Sequence, residues 1–391
     1  MVIKPKKQDF WDWGLHHYAT KQPYNIVRHY IKNNTKRNDL VLDPFCGTGV
    51  TGIQSLFLKR RCIQFDINPI ASFISKSVPE LVSTDQLRSE FDNIYKEIYD
   101  LEEHVYSLNI KDLDKYKITD WYPKNVKLPD NSDFEYVHDL FDKKQLIVFS
   151  KLLDLINKIK NKKIKNQFLL IFSNSLNKVN LTYMYNPQRG LEGGGPSFWG
   201  KGRYWKPKKL TILKVANNFQ SRFKKLLSAK ERAKKDLHNF SAEENLKVYN
   251  EDAIEINKYV KKNSVDYIYT DPPYGANIAY LDLSKIFNSW LGFEKKTQYE
   301  KEIIEGGDKK FPKEHYYKYM FQAAKQMFIA LKPEKNLSLV FQHKDHNMFN
   351  RIIDCFRDVG FKEIGVEYQE TQTTSLHKKK NPLNVFGNQM I

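Results

Sequence analysis

Apolar residues recur along the first eighty positions in two alternating rhythms. Ile26, Val27, Tyr30 and Ile31 fall at helical spacing within residues 24–32, and Asn33-Asn34-Thr35 ends that run. A β-prone run at 39–43 then leads into a glycine-containing turn and an expected helix from Val50 to Lys59. Arg61-Cys62-Ile63-Gln64-Phe65 reads as a second strand, closed by Asp66. A βαβ unit of this kind takes a right-handed crossover. A further helix is expected at 67–76, with Asn68 and Pro69 capping its start.

The texture changes between about 80 and 245. Charged, Lys- and Asn-rich helical stretches occupy 85–106, 143–163, 166–178 and 209–238, broken by a glycine-rich loop from Asn186 to Pro196. Strand and helix alternation resumes at 246. Strands are expected at 246–249, 265–270, 337–341 and 362–370, with helices at 278–291, 314–331 and 347–359. The pattern predicts one α/β sheet, its halves at 1–80 and 246–391, split by a mostly helical, basic insertion at 81–245.

Charge sharpens that division. The chain carries a net +18, and residues 151–250 hold 22 Lys and Arg against 6 Asp and Glu, a net +16. A basic segment with Tyr, Trp and Phe among its charges suits a polyanion, DNA and RNA alike. A solvated helix surface would look the same. With 391 residues the chain can bury a full α/β core, and it has no run of about 18 apolar residues to span a membrane. No apolar stretch follows Met1–Lys7, so no secretory signal is expected. Cys46, Cys62 and Cys355 are scattered without metal-ligand spacing, which fits reduced thiols, a cytoplasmic protein and no metal site.

Two short turns carry the chemistry. Asp43-Pro44-Phe45-Cys46-Gly47-Thr48-Gly49 and Asp271-Pro272-Pro273-Tyr274 each follow a β-prone run, and open α/β sheets bind ligands at the carboxyl ends of their strands. Gly47 and Gly49 permit positive φ and close approach to a ligand. Asp66, ending the next strand, is placed to accept hydrogen bonds from ribose hydroxyls. Gly47, Gly49 and Gly52 also satisfy a dinucleotide spacing, a weak signal alone. Asp43, however, stands where a pyrophosphate needs room and no negative charge. Its carboxylate suits a ligand with an ammonium group, such as the methionyl end of S-adenosylmethionine. The consecutive prolines fix two φ angles near about −65°. That stiffness holds the Asp271 carboxylate and Pro272 carbonyl as acceptors for an exocyclic amine, with the Tyr274 ring free to stack on a heterocycle, worth ~1–3 kcal/mol.

Together the two turns resemble those of the amino-methyltransferase family that acts on adenine N6 or cytosine N4 in DNA. Phe65-Asp66-Ile67-Asn68-Pro69 is similar to the family's ribose-binding segment, and Asn250-Glu251-Asp252-Ala253 to the segment whose acid contacts the cofactor adenine. Tyr18-Ala19-Thr20-Lys21-Gln22-Pro23 resembles the segment that closes over the methionine moiety, and Ala330-Leu331-Lys332-Pro333 a late family motif. The likeness covers about 1–80 and 246–370. It implies a Rossmann-like methyltransferase sheet with helices on both faces. It also implies S-adenosylmethionine as cofactor, held by Tyr18, Thr20, Lys21, Asp43, Phe45, Cys46, Gly47, Thr48, Gly49, Asp66, Ile67, Asp252 and Ala253. Catalysis falls to Asp271, Pro272, Pro273 and Tyr274.

Local alternatives stay open: Asp252 as a helix N-cap, Lys21 as a surface lysine, His343 as a satisfied polar group. His16 and His17, beside Trp11 and Trp13, read equally as core aromatics or substrate contacts. In the resembling family, Asp at position 271 goes mostly with adenine and Ser mostly with cytosine. The resemblance therefore implies methylation of adenine N6 in a base flipped out of double-stranded DNA. Cytosine N4, and guanine N2 in tRNA, are the alternatives. RNA enzymes with similar turns commonly carry a separate N-terminal RNA-binding domain, and only about 40 residues precede the cofactor turn here. The insertion is then expected to choose the target. Lys201, Arg203, Tyr204, Trp205, Lys206, Lys208 and Lys209 would supply phosphate contacts and aromatic surface. A cognate restriction endonuclease is a further expected partner.

Overall fold

A computed structural model describes residues 3–6, 10–12, 14–18, 21–130, 132–190, 194–196, 203–275, 278–342, 345–370 and 388–390. The first βαβ unit forms as its pattern predicts. Helix α1 (Tyr24–Asn34) precedes β1 (Leu40–Asp43), α2 (Val50–Phe57), β2 (Arg61–Phe65) and α3 (Pro69–Ser77). The helical region follows with α4 (Thr84–Ser107), α5 (Ile110–Lys115), α6 (Lys143–Lys158) and α7 (Lys162–Lys178). The short strands β3 (Tyr183–Met184) and β4 (Gly195–Pro196) pair antiparallel, and α8 (Val215–Asp236) and α9 (Ala242–Asn245) close the region. The chain then returns to the sheet through β5 (Leu246–Tyr249) and β6 (Val265–Thr270). Helices α10 (Tyr280–Trp290), α11 (Lys296–Tyr299) and α12 (Lys313–Ala330) lead to β7 (Leu331–Leu339) and α13 (His346–Asp358). The last described strands, β8 (Tyr368–Glu370) and β9 (Asn388–Met390), pair antiparallel.

The main sheet is all parallel in the order β5-β2-β1-β6-β7. The fold is therefore a Rossmann-like α/β sheet with helices on both faces. Its interior strand β6 is buried at all six positions, as expected of a parallel strand covered on both sides. The one acid in it, Asp266, sits near the strand's start, paired with Lys332 at 2.6 Å and accepting from Leu40 N at 2.9 Å. Strands proceed outward from β1 in one direction and from β6 in the other, so the order reverses between these neighbours. A crevice outside their carboxyl ends is the ligand position of such sheets.

One continuous core joins Ile53 and Leu56 of α2, Ile70 and Ile74 of α3 and Trp290 of α10 to Phe91, Phe149, Phe168, Phe172 and Phe219 of the helical region. A second core lies under α12 and α13 on the other face. The break expected between helices over 143–163 and 166–178 falls earlier, at 159–161, where the Asn161 side chain accepts from Lys163 N and Ile164 N to begin α7. The stretch 209–214 is extended, and α8 starts only at Val215, where the buried Glu102 carboxylate accepts the Val215 and Ala216 amides. Of the strand expected at 362–370, only Tyr368–Glu370 forms. Asn68 occupies the N-cap of α3 without capping it. Its side chain instead donates to Ser284 Oγ at 2.7 Å and accepts from Asn288 Nδ2 at 3.1 Å. Among the described residues, no helix is long and apolar enough to cross a membrane.

Candidate active site

Because β1 and β6 are adjacent, the turns that follow them meet, although about 220 residues separate them. They share one cleft, about 930 Å³ when the open solvent at its mouth is included. From the first turn Asp43, Phe45, Cys46, Gly47 and Thr48 line it, and the end of β2 adds Asp66 and Ile67. Asp252 and Ala253 come from the segment after β5, Tyr18 and Lys21 from the N-terminal segment, and Asp271 and Pro273 from the turn after β6. Thr20 and Lys201 lie outside the described residues, as does His343.

The glycines divide the work. Gly47 and Gly49 both adopt positive φ, 50° and 80°. Gly47 faces the cleft, and its amide donates to Asp66 Oδ2 at 2.8 Å. Gly49 does not line it. A Cβ there would stand 2.9 Å from Ser75 Cα, so this glycine lets α2 pack against α3. Cys46 N donates to Phe65 O at 2.9 Å, tying the turn to the end of β2. Asp66 Oδ1 accepts from Asn68 N at 2.8 Å, so each carboxylate oxygen is aimed by one backbone donor and keeps acceptor capacity.

Five carboxylates face the cleft: Asp43, Asp66, Asp252, Asp271 and Glu302. Burial disfavours their charged forms and lifts Asp43 and Asp66 to about 7, Asp252 and Asp271 to about 6, and Glu302 to about 8. Two lysines line the cleft as well. Lys21 is no free surface lysine: its Nζ pairs with Asp12 at 2.7 Å, and both side chains are buried. Lys301 lies 4.0 Å from Glu255. The lining keeps an excess of acid and suits a ligand that carries positive charge. Asp252 does cap the turn after β5, accepting from Ile254 N through Oδ1, yet its Oδ2 is buried with no partner. An orphaned acceptor of this kind is costly unless a donor arrives.

The second turn differs from expectation. The Tyr274 ring is half-buried. It packs edge-on against Phe341 with centroids 5.2 Å apart, and its hydroxyl donates to Asp271 Oδ1. Pro272 is buried and does not line the cleft, and the Pro273 carbonyl accepts from Tyr316 at 2.6 Å. Gln22 donates to Asp271 Oδ2 at 2.5 Å. Gln22, Glu302, Lys301 and Tyr280 all line the cleft unforeseen. They come from segments with no turn motif, and Tyr280 announces itself only by stacking on Tyr18 at 6.0 Å. His16 is a core group. Its ring is buried against Phe287 and bonded to Ser173 Oγ, and burial pushes its pKa down to about 3.

The basic cluster is only partly a surface. Trp205, Lys206, Lys208 and Lys209 are exposed. Tyr204 is fully buried, its hydroxyl donating to the Asp282 and Leu283 carbonyls, so it anchors the segment to α10 and offers no aromatic surface. Arg203 is half-buried, with Nη1 unpartnered.

Comparison with known proteins finds likeness over the N-terminal part of the chain. A model of the N6/N4 DNA methylase family matches residues 3–76, which include the N-terminal segment, the cofactor turn and Asp66. Over those residues the chain is similar to the amino-methyltransferase family. Type II methyltransferase M2.MboI of Moraxella bovis is 36% identical over 53 residues, 14% of this chain and 19% of that protein. Type II methyltransferase M2.LlaDCHI of Lactococcus lactis subsp. cremoris is 41% identical over 61 residues, 16% of this chain and 22% of that protein. The matched part spans about a fifth of the length of these curated relatives.

Proposed function

We propose that this chain is an S-adenosylmethionine-dependent DNA methyltransferase that methylates adenine N6 in a flipped-out base. One observation carries the reading. The Asp271 carboxylate opens on the same acid-lined cleft as the Gly47 turn, Asp66 and the orphaned Asp252 oxygen. When bound, S-adenosylmethionine supplies an electrophilic methyl group. Asp66 and Asp252 would hold the cofactor's ribose and adenine, and Asp43 the charge of its methionyl end. Asp271 accepts a hydrogen bond from the target amine and keeps its nitrogen lone pair directed at the cofactor side of the cleft. Catalysis on this scheme is positioning, not covalent chemistry.

The description of the matching family, DNA methylase, supports DNA as substrate, and the Type II names of the two relatives suit a restriction-modification setting with a cognate endonuclease. The helical region is assigned as the target-recognition unit, bounded by 81 and 245, because the exposed Trp205, Lys206, Lys208 and Lys209 lie on it. We place the enzyme in the cytoplasm with its DNA. Transfer of tritiated methyl to DNA, followed by nucleoside analysis, tests the reading. N6-methyladenine is the expected product. N4-methylcytosine would move the target atom, and transfer to tRNA alone would replace the substrate.

A further inference from the structure

Both oxygens of the Asp271 carboxylate are engaged by the protein itself. Oδ1 accepts from the Tyr274 hydroxyl three residues on, and Oδ2 accepts from the side-chain amide of Gln22, 249 residues away. The two contacts differ in kind. Tyr274 belongs to the same stiff turn, so it holds Asp271 locally. Gln22 comes from the N-terminal segment, between Lys21, which is tied to Asp12, and Pro23, whose carbonyl accepts from Ile26 N and Val27 N. Its backbone is therefore fixed on both sides, and its side chain spans the cleft from the cofactor half to the turn after β6.

The chemistry of the donor matters. A primary amide presents a planar, conjugated NH₂ with two hydrogens to give, as does the exocyclic amine of a nucleobase. A lysine in its place would pair with Asp271 as a full charge and compete with any neutral amine. A hydrocarbon would leave a buried carboxylate oxygen without a donor, which costs ~1–3 kcal/mol or more. A neutral amide satisfies the carboxylate in the ligand-free protein and can be exchanged for another neutral NH₂ at little cost.

We propose that Gln22 is a positioning residue that holds Asp271 aimed into the cleft by imitating the substrate's amine, and that it yields Oδ2 when the base arrives. What displaces Gln22 rests on the methyl-transfer reading above; the holding contact does not. The groups facing Asp271 are Tyr274 from its own turn, Tyr269 from β6, Asp43 from the end of β1 and Gln22. Of the donors to its oxygens, Gln22 can be changed without touching the turn.

The test compares full-length wild type with Gln22→Met and Gln22→Lys. The Asp271 carboxyl is followed by ¹³C NMR against pH, its signal assigned with Asp271→Asn. Losing a donor to the charged form should raise the midpoint by about 0.5 pH or more in Gln22→Met, and a cation should lower it by about 1 in Gln22→Lys. Shifts of opposite sign are not produced by general loosening of the fold. In methyl transfer to DNA at pH 7, Gln22→Met should lower kcat about tenfold with KM for DNA within about twofold, and the acid limb should follow the NMR midpoint. An unchanged midpoint in both variants overturns the proposal. Shifted midpoints with no transfer by wild type would instead overturn the function proposed above and, with it, displacement by the base.

Discussion

The acidic cleft and the basic helical region hold their charges in opposite ways. Five carboxylates meet in one desolvated space, with Asp43 and Asp252 only 4% and 5% exposed. Lys206, Lys208 and Lys209 on the 203–214 segment, and Lys234 and Lys235 on α8, stand in water. Buried charges are few, strongly coupled to pH and specific for a ligand that replaces their lost solvation. Exposed charges are many, individually weak and screened by salt, which suits a polyanion read along its length. On the proposed function the two regions would serve different partners, a small cation and a nucleic acid. The difference lies in burial more than in the sign of the charge.

The sharpest break in that comparison is Asp271→Ala. It should lower methyl transfer by ~100-fold or more while S-adenosylmethionine binding, measured by calorimetry, changes little. Wild-type turnover in that variant would remove the catalytic assignment. Asp66→Ala comes next. Losing charge-assisted hydrogen bonds should weaken cofactor binding by roughly 10–100-fold, read in the same titration, with DNA binding intact. On the basic side, replacing Lys206, Lys208 and Lys209 together by Ala should flatten the plot of log K for DNA against log salt by about 2–3 in slope, with cofactor affinity unchanged. An unaltered slope would make that cluster an ordinary surface.

The smallest effect is set by pH. Asp43, Asp66 and Asp252 have folded values raised by burial to about 7, 7 and 6. In the ligand-free protein their contribution to stability is full below the ordinary carboxylate value of about 4 and fades as pH rises through 6–7. A cationic ligand favours the ionised forms. Cofactor binding should therefore weaken several-fold as pH falls from about 7.5 to 5.5, and binding near pH 6 should release protons. Calorimetry in buffers of different ionisation heat reads both. Binding that is flat across that range would separate the carboxylates from the ligand.

The strands and the two turns were legible because their signals are local. A buried parallel strand is a short apolar run, and glycine or consecutive prolines after it announce a turn. The βαβ unit at 40–65 fell within a residue or two of its expected bounds at the strands. Gln22 and Glu302 carried no such signal. Gln22 lies within the Tyr18–Pro23 segment but has no feature of its own there, and Glu302 reaches the cleft from a stretch without a motif. Tyr204 shows the reverse failure. Interleaving of aromatic and basic residues reads as a surface, but the interleaving does not tell which ring turns inward.

The sequence by itself determined the kinds of chemistry present: an acid and two glycines after one strand, an acid held by two prolines after another, and a long basic stretch between. These follow from backbone stereochemistry and composition, which belong to a few neighbouring residues. Tertiary structure alone decided which charges lose their water. Lys230 lies among the lysines of α8, yet its Nζ is buried and donates to the carbonyls of Ser77, Val78 and Glu80 at the end of α3. Asp252, legible as a cap, keeps one oxygen unsatisfied beside the cleft. Desolvation depends on what packs against a side chain from distant parts of the chain, so no local pattern encodes it.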